Sequence, residues 1–199
     1  MLILVRHGLA AQGVEDLDPG LSDVGHEQAR ITAGALKDSN VNRLVVSPLR
    51  RTQETAGPIA QALGLTPELR TEVAEVFDPS MPVEERQNMI GPFMRGLWSE
   101  QPETLRAWRR RAIDALLEIG KASSESGRDA VIATHYVLIG VAVGAASDDD
   151  RVIPAPIANC SMTRIQFEAG RLRLVEAGSV AHLPPELVTG VGQALAGRG

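Results

Sequence analysis

The chain opens on Leu2-Ile3-Leu4-Val5, an unbroken apolar run that stops at Arg6. A run with no polar alternation predicts a short strand covered on both faces. After Leu21 the period changes. Val24, Gln28, Ile31 and Ala35 fall on one face of a predicted helix, with Ser22 or Asp23 as its N-cap. Arg43-Leu44-Val45-Val46-Ser47 returns to strand character. Pro48 is suited to open a helix carrying Arg51, Thr55 and Ile59 on one side, and Pro58 is expected to kink or end it.

From Thr71 to Met94 the pattern is least regular, broken by Pro79, Pro82 and Pro92. A long helix is predicted next, from the three- and four-residue steps of Leu105, Trp108, Ala112, Leu116 and Ile119. Ala130-Val131-Ile132-Ala133-Thr134 reads as another buried strand, ending at His135, and Val137 to Ala146 as a buried helix. Thr163–Phe167 and Leu172–Leu174 flank Ala169-Gly170 as a hairpin that adds antiparallel pairing at an edge. Alternation of this kind predicts an α/β fold, a three-layer α/β/α sandwich with a mainly parallel central sheet. No repeat or linker divides residues 1–199, so one domain is expected, with a peripheral tail from about residue 183.

Composition narrows the function classes. An apolar fraction of 44% suits a globular chain. A net charge of −5 and only 3% aromatic residues argue against nucleic acid as the partner. The single cysteine, Cys160, excludes an internal disulfide and reads as a small buried hydrophobe. The run Arg109-Arg110-Arg111 reads as a solvated helix exterior, and Asp148-Asp149-Asp150 as a loop rather than a metal site. The short apolar start lacks a basic region, and no run approaches the roughly 20 apolar residues of a membrane span. A cytoplasmic chain with no membrane partner is the expectation.

Chemistry gathers at three predicted strand ends: Arg6-His7-Gly8, Ser47-Pro48-Leu49-Arg50-Arg51 and Thr134-His135. In a parallel sheet these ends share one edge, where open α/β sheets hold ligands. Arginine grips phosphate bidentately, helix N-termini add backbone donors, and imidazole is a nucleophile that titrates near neutrality. The combination points to phosphoryl chemistry.

On these residues the chain resembles the histidine phosphatase superfamily, with its phosphoglycerate-mutase-like fold. Arg6-His7-Gly8 matches that family's hallmark triplet. Leu21-Ser22, Gly25 and Gln28-Ala29 resemble its next helix start, and the stretch Ser47 to Ala56 its second-arginine motif, with Arg51 as the functional arginine. Val73 to Phe77 resembles the acid-bearing segment, and Val131 to His135 the strand of the second histidine. The resemblance implies that His7 attacks phosphorus and forms a phosphohistidine. It implies too that Arg6, Arg51 and His135 hold the phosphoryl oxygens and that Glu75 is the acid. Gly8 and Tyr136 would join them on the substrate side. Neither metal nor cofactor is expected.

Departures from the family pattern bear on the substrate. Leu9, Ala10 and Gly13 stand where mutase-type members carry Glu-Thr and an asparagine, and Tyr136 replaces a common glycine. Phe77-Asp78-Pro79 departs from the usual continuation and leaves Glu72 and Asp78 as rival acids. A phosphomonoester hydrolase is therefore preferred, acting on a small phosphorylated metabolite or, alternatively, a phosphoprotein, as monomer or homodimer. Phosphoglycerate mutase activity and a weakly catalytic phosphate-binding module are the alternatives.

Overall fold

A computed structural model describes residues 1–11, 16–77 and 83–191. Its strands are β1 (Leu2–Arg6), β2 (Val41–Val46), β3 (Glu68–Leu69), β4 (Asp129–Thr134), β5 (Met162–Glu168) and β6 (Arg171–Ser179). Its helices are α1 (Asp23–Leu36), α2 (Arg50–Leu63), α3 (Val83–Arg95), α4 (Glu103–Ser126) and α5 (Tyr136–Ser147). The strands form one sheet in the order β3-β2-β4-β1-β5-β6. The pairs from β3 to β1 are parallel, and β5 pairs antiparallel with both β1 and β6.

Strand pleating divides the core. Leu2 and Leu4 pack with Leu116, Ile119 and Leu138 beneath α4 and α5, whereas Ile3 and Val5 pack with Ala33, Leu36 and Ile59 beneath α1 and α2. Successive side chains of a strand point to opposite faces, so a strand with a helical layer on each side is apolar at every position. The expected three-layer sandwich is present. Helix α5 is buried from Tyr136 to Gly144, and the closing hairpin turns at Ala169 and Gly170 with φ of 50° and 79°. Two successive positive φ angles match the twist of the strands they join.

Four expectations are corrected. The inward face of α1 is Gly25, Gln28, Ala29, Thr32, Ala33 and Leu36, while Val24 is exposed. The cause is steric: a Cβ at Gly25 would lie 2.2 Å from the Leu9 carbonyl oxygen, so the helix turns its small residues toward that loop. Helix α2 runs through Pro58 to Leu63, because Ile59, Ala60 and Leu63 continue the apolar face beyond it. Burial there outweighs one lost backbone bond. The irregular region contains a helix, α3, with Pro92 inside it. The tail is not peripheral at its start, since Leu183 is buried with Leu21, Ala29 and Cys160, and the chain to Gly190 returns to the site. Among the described residues, no helix is long and apolar enough to cross a membrane.

Candidate active site

Register brings the three strand ends together. Arg6 lies opposite Thr134 across β1 and β4, and Val46 opposite Ala133 across β2 and β4. The ladder continues past the strands: His7 N–H donates to the Thr134 carbonyl at 2.9 Å, and Ser47 N–H to Ala133 at 3.1 Å. His7, Ser47 and His135 thus leave the sheet side by side. His135 is the N-cap residue of α5, and Arg51 stands in the first turn of α2.

The histidine rings lie 5.4 Å apart, and their partners define different tautomers. His7 Nδ1 is 2.7 Å from the Gly8 carbonyl oxygen, which can only accept. Nδ1 therefore carries the proton, and Nε2 keeps its lone pair. His135 Nδ1 accepts from Arg51 Nη2 at 3.2 Å, so its proton sits on Nε2, 2.7 Å from Ser47 Oγ. Burial lowers both histidines well below the usual value of 6.5; Arg6 and Arg51 reinforce the shift at His7, and His7 and then those arginines reinforce it at His135. Both rings are neutral at neutral pH.

The arginines are held differently. Arg6 is buried, with Nη1 donating to the carbonyls of Ile157 at 2.6 Å and Gly190 at 3.3 Å, and its guanidinium lies 4.7 Å from the Tyr136 ring centre. Arg51 meets both His135 and the Asp18 carboxylate, the latter at 3.5 Å. Neither cation can titrate away near neutrality, so the site keeps two fixed positive charges.

Glu75 follows the short helical turn Thr71–Val73. Its carboxylate accepts from Val76 N–H at 2.9 Å, and burial pushes its pKa above 4.5 although Arg51 and Arg6 pull the other way. The segment is tied to the sheet where Thr134 Oγ1 donates to the Val73 carbonyl at 2.6 Å. Glu72, the rival, is bonded to Arg70 at 2.9 Å and is held below 4.5 by that contact. It is thereby kept ionised and turned to another partner. Asp78 lies outside the described residues, as does Gly13.

The structure brings Arg6, His7, Gly8, Arg51, Glu75, His135 and Tyr136 near one another. The close approach of chain segments explains Gly8, where a Cβ would lie 2.6 Å from the Gly25 carbonyl oxygen. The supporting residues were legible only in part. Thr55, Gln28 and Ser47 lay within the quoted motifs and are now seen to bond Gly8 N–H, Leu9 N–H and His135. Asn159, which donates to the His7 carbonyl at 3.0 Å, had no local signal. Cys160 is buried with its thiol pushed up to about 12, as befits a packing residue. Among the described residues no three His, Cys, Asp or Glu side chains gather as a metal site.

The model of the histidine phosphatase superfamily, branch 1, matches residues 2–179. A probable phosphoglycerate mutase of Yersinia pestis is 29% identical over 90% of this chain and 93% of its own length. Among solved structures, a mycobacterial glucosyl-3-phosphoglycerate phosphatase with inorganic phosphate superposes with a TM-score of 0.73 at 22% identity, covering 92% of this chain and 99% of its own. Phosphoserine phosphatase of Entamoeba histolytica, in complex with 3-phosphoglyceric acid, gives 0.71 at 22% identity over 92% and 98%. With a match to that model along nearly its whole length, the chain belongs to the histidine phosphatase superfamily.

Proposed function

We propose that this protein is a phosphomonoester hydrolase that works through a phosphohistidine on His7. The observation that carries the reading is the His7 tautomer: Nδ1–H is anchored on the Gly8 carbonyl, which leaves Nε2 as the free nucleophile beside two arginines. Nε2 attacks phosphorus, and the bond from phosphorus to the ester oxygen breaks. Glu75, whose protonated form burial favours, gives its proton to that oxygen, and the alcohol departs. The Glu75 carboxylate then takes a proton from water as the water oxygen attacks phosphorus. Orthophosphate leaves and the His7 lone pair returns.

Arg6 and Arg51 neutralise the charge that spreads over the phosphoryl oxygens. His135 reaches them through Arg51, whose guanidinium it holds. A direct bond from His135 to a phosphate oxygen requires a proton on Nδ1, which a bound dianion favours. Tyr136 lies under Arg6 and shapes the leaving-group side. The substrate is proposed to be a small phosphorylated metabolite. Leu9 and Ala10 supply no polar contact for a second phosphate.

The test is phosphate release from an aryl phosphate, with rapid acid-free quench to trap phosphohistidine. His7→Ala is expected to cut turnover by about 10⁴-fold or more and to abolish the trapped species. Turnover that survives the substitution overturns the mechanism. Isomerisation of 3-phosphoglycerate with a bisphosphoglycerate primer, without free phosphate, would favour the mutase reading instead.

A further inference from the structure

The family match ends at residue 179, yet the phosphate cradle does not. After the short helical turn Pro185–Leu187, the chain crosses back over the ends of β1 and α1. Arg6, His7 and Leu9 are then each tied to it, directly or through one side chain. Arg6 Nη1 donates to the Gly190 carbonyl. The His7 carbonyl accepts from Asn159 Nδ2, and Asn159 Oδ1 accepts from Thr189 Oγ1 at 3.1 Å. Leu9 N–H donates to Gln28 Oε1, and Gln28 Nε2 donates to the Leu187 carbonyl at 2.7 Å and to Thr189 Oγ1 at 2.8 Å.

Thr189 is the centre of this arrangement. Its one hydroxyl accepts from Gln28 and donates to Asn159, so both of its hydrogen-bonding directions are committed. The Thr189 carbonyl also accepts from Asn159 N–H at 2.9 Å. The two amide side chains are thereby oriented, and each uses its other end on the cradle. Gly190 fits where nothing larger can: its φ is 78°, and a Cβ would lie 2.4 Å from Asn159 Oδ1 and 2.9 Å from Arg6 Nη1.

We propose that Leu187–Gly190 is a strap that positions the phosphate cradle, with Thr189 and Gly190 as positioning residues acting through Asn159, Gln28 and Arg6. The Gly190 and Ile157 carbonyls both engage Nη1 of Arg6 and stop the buried guanidinium from turning about its stem. With Nη1 committed, the buried Nε, which has no hydrogen-bond partner among the described residues, and Nη2 remain for a phosphate. Pre-orientation of this kind spares the cost of ordering the side chain when a phosphate binds. The inference rests on the site reading above, and it adds residues outside the matched family region.

The experiment measures orthophosphate binding directly, by calorimetry on the full chain, beside kcat and KM for an aryl phosphate. Thr189→Val, which keeps the shape and removes the hydroxyl, is expected to weaken orthophosphate binding about tenfold and to raise KM with less change in kcat. Thr189→Ser restores both. Gly190→Ala, whose methyl would press on both Asn159 Oδ1 and Arg6 Nη1, is expected to give the same loss and serves as the second variant. Wild-type phosphate affinity in folded Thr189→Val and Gly190→Ala, with only a lower Tm, would overturn the strap alone. No orthophosphate bound by the unsubstituted protein would overturn the site reading with it.

Discussion

Arg6, His7 and His135 stand at the ends of the two central parallel strands, whereas Glu75 stands on a loop beyond the two-residue edge strand β3. The first group is fixed from many sides. His7 alone has its amide on Thr134, its carbonyl on Asn159 and its ring on Gly8. Glu75 is held by the neighbouring Val76 amide and, at one remove, by the Thr134–Val73 bond. Both regions shift their titrating groups through burial, but in opposite senses: the histidines are pushed down and the glutamate up, each toward its neutral form. A nucleophile and an acid that are both neutral near the working pH are what phosphoryl transfer to nitrogen needs. On the proposed mechanism, phosphate binding belongs to the sheet and proton delivery to its margin.

The division is broken most directly at Glu75. Glu75→Gln is expected to slow hydrolysis of alkyl phosphates by about 10²- to 10³-fold, because their leaving oxygens need a proton, and aryl phosphates by less than about tenfold. For alkyl substrates, kcat/KM of the native protein is expected to fall as pH rises through the raised Glu75 pKa, since the required acid form is lost above it. The acid limb, where His7 gains its proton, lies well below 6.5. The glutamine variant loses the alkaline limb and keeps the acid one. Equal losses for both substrate classes would place the acid elsewhere and dissolve the contrast.

A substitution inside the cradle makes the converse prediction. A methyl group at Gly8 would collide with the Gly25 carbonyl, in a place where backbone rather than a flexible side-chain end must yield. Gly8→Ala is expected to destabilise the fold by about 1–3 kcal/mol and to lower kcat/KM by roughly tenfold, for alkyl and aryl phosphates alike. The common loss follows because the Gly8 carbonyl is what holds the proton on His7 Nδ1. Denaturant melts and the two substrates measured side by side test it; a loss confined to alkyl esters would move Gly8 into the proton-delivery region.

The same contrast explains what could be read from sequence. Leu2–Val5 and Ala130–Ala133 are apolar at every position because both faces are covered, so the central strands and the residues ending them were plain. Glu75 was found only through a family-like segment, since a two-residue edge strand and a loop carry no period. The inward face of α1 was misread because it is set by the contact between Gly25 and Leu9, a constraint between segments that hydrophobicity does not encode. Thr189 and Gly190 were missed for a related reason. Their role depends on Gln28 and Asn159, whose positions in the chain announce nothing about a shared partner.

The smallest expected effect is the most discriminating, because it acts on a hydrogen bond that joins the two regions. Thr134 belongs to β4, yet its hydroxyl donates to the carbonyl of Val73, two residues before Glu75. Thr134→Val keeps the strand, the shape and the β-branching and removes that buried bond. The carbonyl left behind costs about 1–2 kcal/mol of stability, read as a shift in the denaturant midpoint. With its tether gone, the acid-bearing turn is free to shift by fractions of an ångström while His7 and Arg6 are not. Alkyl phosphate turnover is therefore expected to fall about three- to fivefold, with aryl turnover and inhibition by orthophosphate unchanged. If orthophosphate inhibition weakens instead, Thr134 supports the cradle itself, and margin and centre form one mechanical unit.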